Sequence, residues 1–281
     1  MSAWVCPFHF TSRSSTTGRA GTFLWEGRRL AYEEYGSGDR VLLYLHGILM
    51  DSEMNRGLAT ALAERGHRVI LLDLLGHGQS DKPTHASEYR MDTYAHQVAA
   101  CLDHLGVEEA VIGGVSLGAN VALRVAVRAP GRVTALVLEM PVLEWAVPAA
   151  AMLFTPLVLG LHYARPLFTG LAAVARRFPD TPIAALNSTV RGFSSSPDVL
   201  AAVLHGVLVG PVAPSADERG HIKAPTLVIA HKRDLIHPFS DAENLVEQLP
   251  DADLLSAHSS AELRLFPERL TGEIAAFLDR V

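Results

Sequence analysis

The sequence places a serine between two glycines directly after an apolar run. Gly114-Val-Ser116-Leu-Gly118 overlaps the end of the run Ala110–Val115 and leads into the helical pattern Leu117–Ala129. A serine on so tight a strand-to-helix turn takes a strained backbone conformation, and glycine neighbours let the two backbones pass. Its hydroxyl is then exposed at the edge of a sheet, where it can attack a carbonyl carbon. The motif therefore predicts Ser116 as a nucleophile.

A serine hydroxyl at neutral pH needs a base to take its proton and a carboxylate to orient that base. Asp234 follows the apolar run Thr226–Ala230, and His258 follows the later run Asp253–Ser256. The carboxyl ends of parallel strands meet at one edge of a sheet, so these side chains are expected near Ser116. We predict Ser116 as nucleophile, Asp234 as acid and His258 as base.

From about residue 22 to 281 the sequence resembles the α/β-hydrolase family, in which the triad has the same chain order of Ser, Asp and His. His46-Gly47-Ile48 resembles the oxyanion loop of that family. The resemblance implies that the backbone amides of Ile48 and Leu117 bind the oxyanion, each contributing about 10²- to 10³-fold in rate. It also implies acyl transfer to water through an acyl-enzyme.

Other residues compete for places in the triad. Glu139 ends a predicted strand, and some family members place the acid after that strand. Three further histidines lie close to Asp234 in the sequence, but we interpret them as surface or supporting groups, because the base must approach from a more distant loop to meet both partners. These histidines are His221, His231 and His237.

Other positions of the family pattern are interpreted as scaffold or as departures. His46 and Asp73 occupy positions that the family uses mostly to fix loops. Ala257 and His231 stand where the family often has glycine, so the geometry of these two loops is expected to differ. The dehalogenases and epoxide hydrolases of the family carry Asp at the elbow; Ser116 excludes both reactions as the main activity.

The elements that must position these residues alternate along the chain. Continuous apolar runs predict buried parallel strands, and the intervening amphipathic runs predict helices. Glu26-Gly27 indicates a hairpin, so the first strands should be antiparallel. The predicted fold is α/β, an α/β-hydrolase fold with a mostly parallel central sheet, antiparallel N-terminal strands and an inserted helical cap. The predicted strands are Thr22–Trp25, Arg28–Tyr35, Val41–His46, Arg68–Asp73, Ala110–Val115, Val133–Glu139, Thr226–Ala230 and Asp253–Ser256.

Charge divides the chain into regions. Residues 140–212 contain only seven charged side chains, a far smaller share than the 19% of charged residues in the whole chain. This deficit of charge predicts an inserted cap with an apolar underside. The core domain is predicted over residues 21–139 and 213–281, after a flexible arm at 1–20. The cap is expected to supply an apolar acyl pocket. Its candidate lining residues are Trp145, Phe154, Leu157, Leu161 and Phe168.

The longest uncharged stretch, Trp145–Ala164, is long enough to suggest a membrane span. Pro148, Pro156 and His162 interrupt it, and no basic cluster flanks it, so we predict no integral span and leave shallow contact with a lipid surface open. Arg165 or Arg191 could bind a substrate carboxylate, although an isolated arginine among helices usually faces solvent.

Composition limits the partners. A formal net charge of −6 argues against nucleic acid. Two distant cysteines and an N-terminus without a secretory pattern indicate a reducing, cytoplasmic location. No metal-ligand cluster, Walker loop or dinucleotide fingerprint is present in the sequence, so neither a metal nor a cofactor is expected. The oligomeric state stays open.

The predicted function is a carboxylesterase or small lipase that hydrolyses small apolar esters with short-to-medium acyl groups. An amidase, thioesterase, lactonase or carbon–carbon bond hydrolase would use the same triad, because the elbow fixes the nucleophile and not the leaving group. The non-enzymatic alternative is a ligand receptor with this fold.

Overall fold

The computed structural model describes residues 17–281, in which eight strands form one sheet in the order β1-β2-β4-β3-β5-β6-β7-β8. The strands β3 to β8 are parallel to one another, β1 and β2 form an antiparallel hairpin, and β2 pairs antiparallel with β4. This confirms the predicted mostly parallel sheet with antiparallel N-terminal strands. The bounds are β1 Arg19–Trp25, β2 Arg28–Tyr35, β3 Val41–Leu45, β4 Arg68–Asp73, β5 Ala110–Val115, β6 Val133–Glu139, β7 Thr226–His231 and β8 Ala252–Ala257.

Alternation along the strands builds an apolar core on each face of the sheet. In β3, Leu43 and Leu45 join one buried cluster, whereas Leu42 and Tyr44 join a second cluster on the opposite face. Successive side chains of a strand point to opposite faces, so a strand buried on both sides must be apolar throughout. The sheet is therefore covered by helices on both faces, and its carboxyl edge is left to the loops.

Helices lie between the strands, as the amphipathic runs predicted, and the helix after Ser116 ends at Arg128, one residue before the predicted Ala129. Gly66 and Gly106 follow two of them with positive φ angles of 93° and 64°, where a side chain would be strained. The helices outside segment 140–212 are α1 Arg56–Ala63, α2 Met91–His104, α3 Leu117–Arg128, α8 Ala216–Gly220, α9 Phe239–Gln248, α10 Glu262–Leu265 and α11 Glu268–Arg280.

Segment 140–212 contains four helices: α4 Ala146–Tyr163, α5 Arg165–Ala175, α6 Ala184–Phe193 and α7 Pro197–Leu208. Two charged contacts fix this segment to the core. The buried carboxylate of Asp241 in α9 accepts hydrogen bonds from the amides of Leu143, Trp145 and Ala146, at 2.9 to 3.0 Å. Farther along the segment, Arg191 in α6 pairs with Asp51 and Glu53 of the core.

The predicted N-terminal arm is partly corrected. Its residues 1–16 lie outside the described residues, but Arg19 and Ala20 belong to β1, where they pair in register with Glu34 and Glu33. The sequence pattern missed this end of the strand because Gly18, Arg19, Ala20 and Gly21 give no apolar alternation. Backbone pairing with β2 supplies the order instead.

Candidate active site

Ser116 stands at the turn between β5 and α3 in a strained conformation, with φ 53° and ψ −110°. The turn is possible because Gly114 and Gly118, two positions before and after Ser116, lack side chains. A Cβ atom added to Gly114 would lie 2.6 Å from the carbonyl carbon of Gly118, and one added to Gly118 would lie 2.6 Å from the carbonyl oxygen of Leu45. The spacing of the motif therefore reflects close approach of three backbone segments, and strain of this kind is typical of a functional position.

The hydroxyl of Ser116 meets a histidine from the loop after β7. Nε2 of His237 lies 3.0 Å from Oγ of Ser116, and Nδ1 of His237 lies 3.1 Å from Oδ2 of Asp234. The side chains of His237 and Asp234 are both largely buried. Serine, histidine and aspartate thus form a continuous hydrogen-bonded chain with the geometry that activates a serine nucleophile.

Local backbone geometry explains how acid and base come from the same loop. Oδ1 of Asp234 accepts hydrogen bonds from the amides of Ile236 and His237 at 2.8 and 3.0 Å, which closes a tight turn. This turn brings the imidazole of His237 back over the second carboxylate oxygen. Pro238 then precedes α9, whose first residue is Phe239.

The environment keeps Asp234 ionised. Burial by itself would raise the pKa of this carboxyl, but the hydrogen bonds from the His237 ring and from two backbone amides outweigh burial and lower the pKa from 3.8 to about 2. An ionised Asp234 accepts the Nδ1 proton of His237, which leaves the lone pair of Nε2 facing Ser116.

The expectation that His258 meets Ser116 is wrong in this structure. The His258 side chain is 79% exposed, and its Nδ1 lies 3.6 Å from Glu262. Its backbone amide donates to Oε2 of Glu262, and Arg269 holds that carboxylate from the other side. Glu262 therefore fixes the chain at the end of β8 with the His258 ring in solvent, and His237 stands beside Ser116 instead.

Glu139 is engaged elsewhere, which removes it as the alternative acid. Its buried carboxylate accepts a hydrogen bond from the hydroxyl of Tyr44 at 2.8 Å and pairs with the buried guanidinium of Arg264. Arg264 also donates to Asn55 at 2.8 Å. Only the backbone of Glu139 contacts the site, since its carbonyl accepts from the amide of Ser116 at 2.8 Å.

The remaining candidate histidines do not reach Ser116. Nδ1 of His221 lies 2.7 Å from the carbonyl of Asp217, on an exposed turn. Nδ1 of His231 is buried and has no hydrogen-bond partner within residues 17–281. Of the three histidines that the sequence offered as competitors, the structure brings only His237 to Ser116.

The two predicted oxyanion donors lie at the ends of neighbouring strands. Leu45 of β3 pairs with Gly114 of β5, so the loop carrying Ile48 follows the strand next to the serine elbow. Leu117 is the first residue of α3, where an amide has no carbonyl partner within its own helix. The adjacent Leu49 has a positive φ of 57°, which turns this loop sharply.

The residues interpreted as scaffold hold the loops around the serine. Nε2 of His46 accepts a hydrogen bond from the amide of Leu74 at 3.1 Å. The two carboxylate oxygens of Asp73 accept from the amides of Ser52 and Gln79, each at 2.8 Å. Both side chains are buried and tie the loops after β3 and β4 together.

The predicted pocket residues are divided between core and solvent. Leu161 is buried, Phe154, Leu157 and Phe168 pack half-buried against the larger apolar core, and Trp145 is exposed. A separate cavity of about 270 Å³ lies between the loop after β3 and segment 140–212, and none of the five predicted residues lines it. Its lining includes Leu49, Met50, Lys82, Arg176, Arg191 and Gly192.

The arginines that could have bound a carboxylate are already paired. Arg191 lies 3.0 Å from Asp51 and 3.4 Å from Asp180, and it also pairs with Glu53. Arg165 pairs with Asp198. Within residues 17–281 no three His, Cys, Asp or Glu side chains are arranged to hold a metal ion.

His237 was predicted to be a surface or supporting group, because the base was expected from a more distant loop. The signal that could have identified it is the string Asp234-Leu-Ile-His237-Pro238. Aspartate commonly accepts hydrogen bonds from the amides two and three residues ahead, and such a turn returns the third side chain to the carboxylate.

Known proteins similar to this chain share its fold. The sequence model of the alpha/beta hydrolase fold matches residues 40–259. An AB hydrolase superfamily protein of Bacillus subtilis is 28% identical over 255 residues, which cover 85% of this chain and 91% of that protein. The crystal structure of the enol-lactonase from Burkholderia xenovorans LB400 has a TM-score of 0.75 at 20% identity and covers 92% of this chain and 100% of that one.

A shorter match is closer in sequence. An uncharacterized protein of Mycobacterium tuberculosis is 42% identical over 112 residues, which are 40% of this chain and 32% of that protein. This chain therefore spans about a third of the length of that relative.

Proposed function

Because the chain belongs to the α/β-hydrolase fold family, we propose that it is a serine hydrolase that cleaves carboxylic esters through Ser116, His237 and Asp234. The observation that carries the proposal is the hydrogen-bonded chain from Oγ of Ser116 through His237 to Asp234, with links of 3.0 and 3.1 Å. The strained conformation of Ser116 adds support, since strain of this kind is found where a side chain must be presented to a reactant.

The proposed reaction has two acyl-transfer steps. His237 takes the proton of Ser116 as Oγ attacks the ester carbonyl, and the amides of Ile48 and Leu117 bind the oxyanion that forms. His237 then protonates the departing alkoxide, which leaves an acyl-enzyme on Ser116. Water then attacks the ester of the acyl-enzyme with His237 again as base. The carboxylic acid product is released, and the free serine is regenerated. Asp234 holds His237 in the tautomer that both steps require.

The proposed substrates are small esters with apolar acyl groups of short to medium length. Support comes from the composition of segment 140–212, in which no charged side chain stands between Trp145 and Ala164. An apolar surface of this kind suits an acyl chain better than a charged substrate. Lactones are cyclic esters that the same residues would open, and the structural likeness to an enol-lactonase makes them a second substrate class to measure.

The test combines covalent labelling with a substrate series. An activated phosphonate should label Ser116 in the parent, and Ser116→Ala should lower kcat for a short-chain aryl ester by about 10⁴-fold or more. Aryl esters of increasing acyl length, a lactone series, and matched thioesters and anilides would then define the bond that is cleaved. An unlabelled Ser116 with no hydrolysis of any substrate would contradict the proposal and favour a non-catalytic ligand receptor.

A further inference from the structure

The outer face of α4 is apolar although it faces solvent. The helix buries Ala146, Ala150 and Leu161 against the protein, and these residues recur at helical spacing on one side. The opposite side exposes Met152 and Leu159, with Met152 79% exposed. A helix on the surface of a globular protein normally carries charged and polar groups there.

The next helix repeats the pattern. Leu167, Leu171 and Val174 follow the spacing i, i+4 and i+7, which places them on one side of α5, and Phe178 follows three residues after the end of that helix. Each of the four is between 53% and 66% exposed. Leu167, Leu171, Val174 and Phe178, together with Met152 and Leu159 of α4, are called the α4–α5 face below.

Exposed apolar groups on two adjoining helices mark a docking surface rather than ordinary surface composition. We propose that the α4–α5 face docks on the surface of a lipid bilayer. Trp145 and Tyr163 stand at the two ends of α4, and both are exposed. These are the side chains that favour the boundary between headgroups and acyl chains, where one part of the ring is apolar and the other is polar.

Charges at the end of α5 fit the same partner. Arg176 donates to the carbonyl of Ser194 and Arg177 to the carbonyl of Ala173, so neither pairs with a carboxylate within the described residues. The neighbouring Asp180 is engaged by Arg191. Arg176 lines the cavity beside Leu49 and Gly192, so Arg177 is the cation beside the apolar face, and its charge matches the anionic headgroups of a bilayer.

The anchoring of α4 indicates docking on the bilayer rather than spanning it. By length and composition α4 could cross a membrane. However, its N-terminal amides are held by the buried carboxylate of Asp241, in the core helix α9. Withdrawing the helix into lipid would leave that carboxylate buried without its donors, which is costly. One side of α4 therefore stays packed against the protein, and only the outer side can contact lipid.

The test measures flotation of the purified full chain with phosphatidylcholine vesicles and with vesicles that also contain phosphatidylglycerol. Replacing two face residues, Met152→Glu with Val174→Glu, should reduce the partition coefficient about tenfold or more, because burying these side chains supplies the binding. The matched control is Leu24→Glu with Phe266→Glu, which places the same change on residues that are 77% and 69% exposed outside the face. The control should bind like the parent.

The contribution of charge is tested separately. Arg177→Gln should lower binding to anionic vesicles by about fivefold and leave binding to neutral vesicles unchanged. Circular dichroism is used to check that every variant is folded. Flotation measures binding directly, so the result does not depend on hydrolytic activity. Absence of parent binding to both vesicle types would overturn the proposal. A dimer that the Met152 and Val174 substitutions dissociate, without vesicle binding, would also overturn it and assign the face to self-association.

Discussion

Replacing Asp234 by asparagine tests how the loop after β7 prepares the base. In the parent, the carboxylate lies 3.1 Å from Nδ1 of His237 and fixes a proton there. An asparagine amide in the same place can donate to Nδ1, which moves the ring proton to Nε2, 3.0 Å from Oγ of Ser116. A protonated Nε2 cannot accept the serine proton, and we expect kcat to fall by about 10⁴-fold.

The same substitution should also change how the free energy of unfolding depends on pH in acid. Burial by itself would raise the pKa of Asp234, but hydrogen bonds lower it from 3.8 to about 2 in the folded chain. The ionised group therefore stabilises the fold above about pH 4, and this contribution is lost as the pH falls through about 2. At neutral pH this contribution of the ionised group to the free energy of unfolding is at most on the order of 2 kcal/mol. The loss measured for Asp234→Asn should be smaller, because asparagine still accepts the two amide hydrogen bonds.

The measurements are kcat for a short-chain aryl ester and urea unfolding from neutral to acid pH. We expect the stability gap between parent and Asp234→Asn to narrow as the pH is lowered. Asp253→Asn is the control, because Asp253 forms an exposed pair with Arg280 and should change neither quantity strongly. A loss in kcat below about tenfold would refute the assigned tautomer, and a gap that does not change with pH would refute the assigned electrostatics.

Two further substitutions probe the supports of the site. Arg264→Leu leaves the carboxylate of Glu139 buried without its cation. Urea denaturation should show a free energy of unfolding lower by about 3 to 5 kcal/mol. A loss below about 1 kcal/mol would show that the ion pair does not stabilise the fold. Gly192→Ala places a Cβ atom 1.7 Å from the carbonyl oxygen of Leu49. The loop that carries the proposed oxyanion donor must then shift, and we expect kcat to fall about 10²-fold. Gly170→Ala, where the added atom meets nothing within 4 Å, should leave kcat unchanged; equal losses in both glycine variants would contradict this explanation.

The fold and the nucleophile could be predicted because local sequence determines them. Buried strands such as β5 are apolar throughout, and the hairpin at Glu26-Gly27 needs two residues with positive φ, here 48° and 77°. The elbow needs small residues at Gly114 and Gly118 because backbones approach there. Each of these features is a steric requirement that can be read from a few neighbouring residues.

The base could not be predicted from chain order. His258 and His237 both follow parallel strands on the same edge of the sheet, so topology alone allows either. Glu262, four residues beyond His258, holds the backbone of that loop and leaves the ring in solvent. The turn at Asp234 directs His237 to the serine. Side-chain hydrogen bonds of this kind determine the orientation of each histidine ring, and apolar periodicity contains no information about them.

The central claim is that His237, rather than His258, activates Ser116. The most direct measurement is the rate at which an activated phosphonate labels Ser116 in His237→Ala and in the matched variant His258→Ala. We expect His237→Ala to slow labelling by about 10²- to 10⁴-fold, the usual contribution of a general base. His258→Ala should label like the parent. Slow labelling of His258→Ala together with normal labelling of His237→Ala would contradict the account.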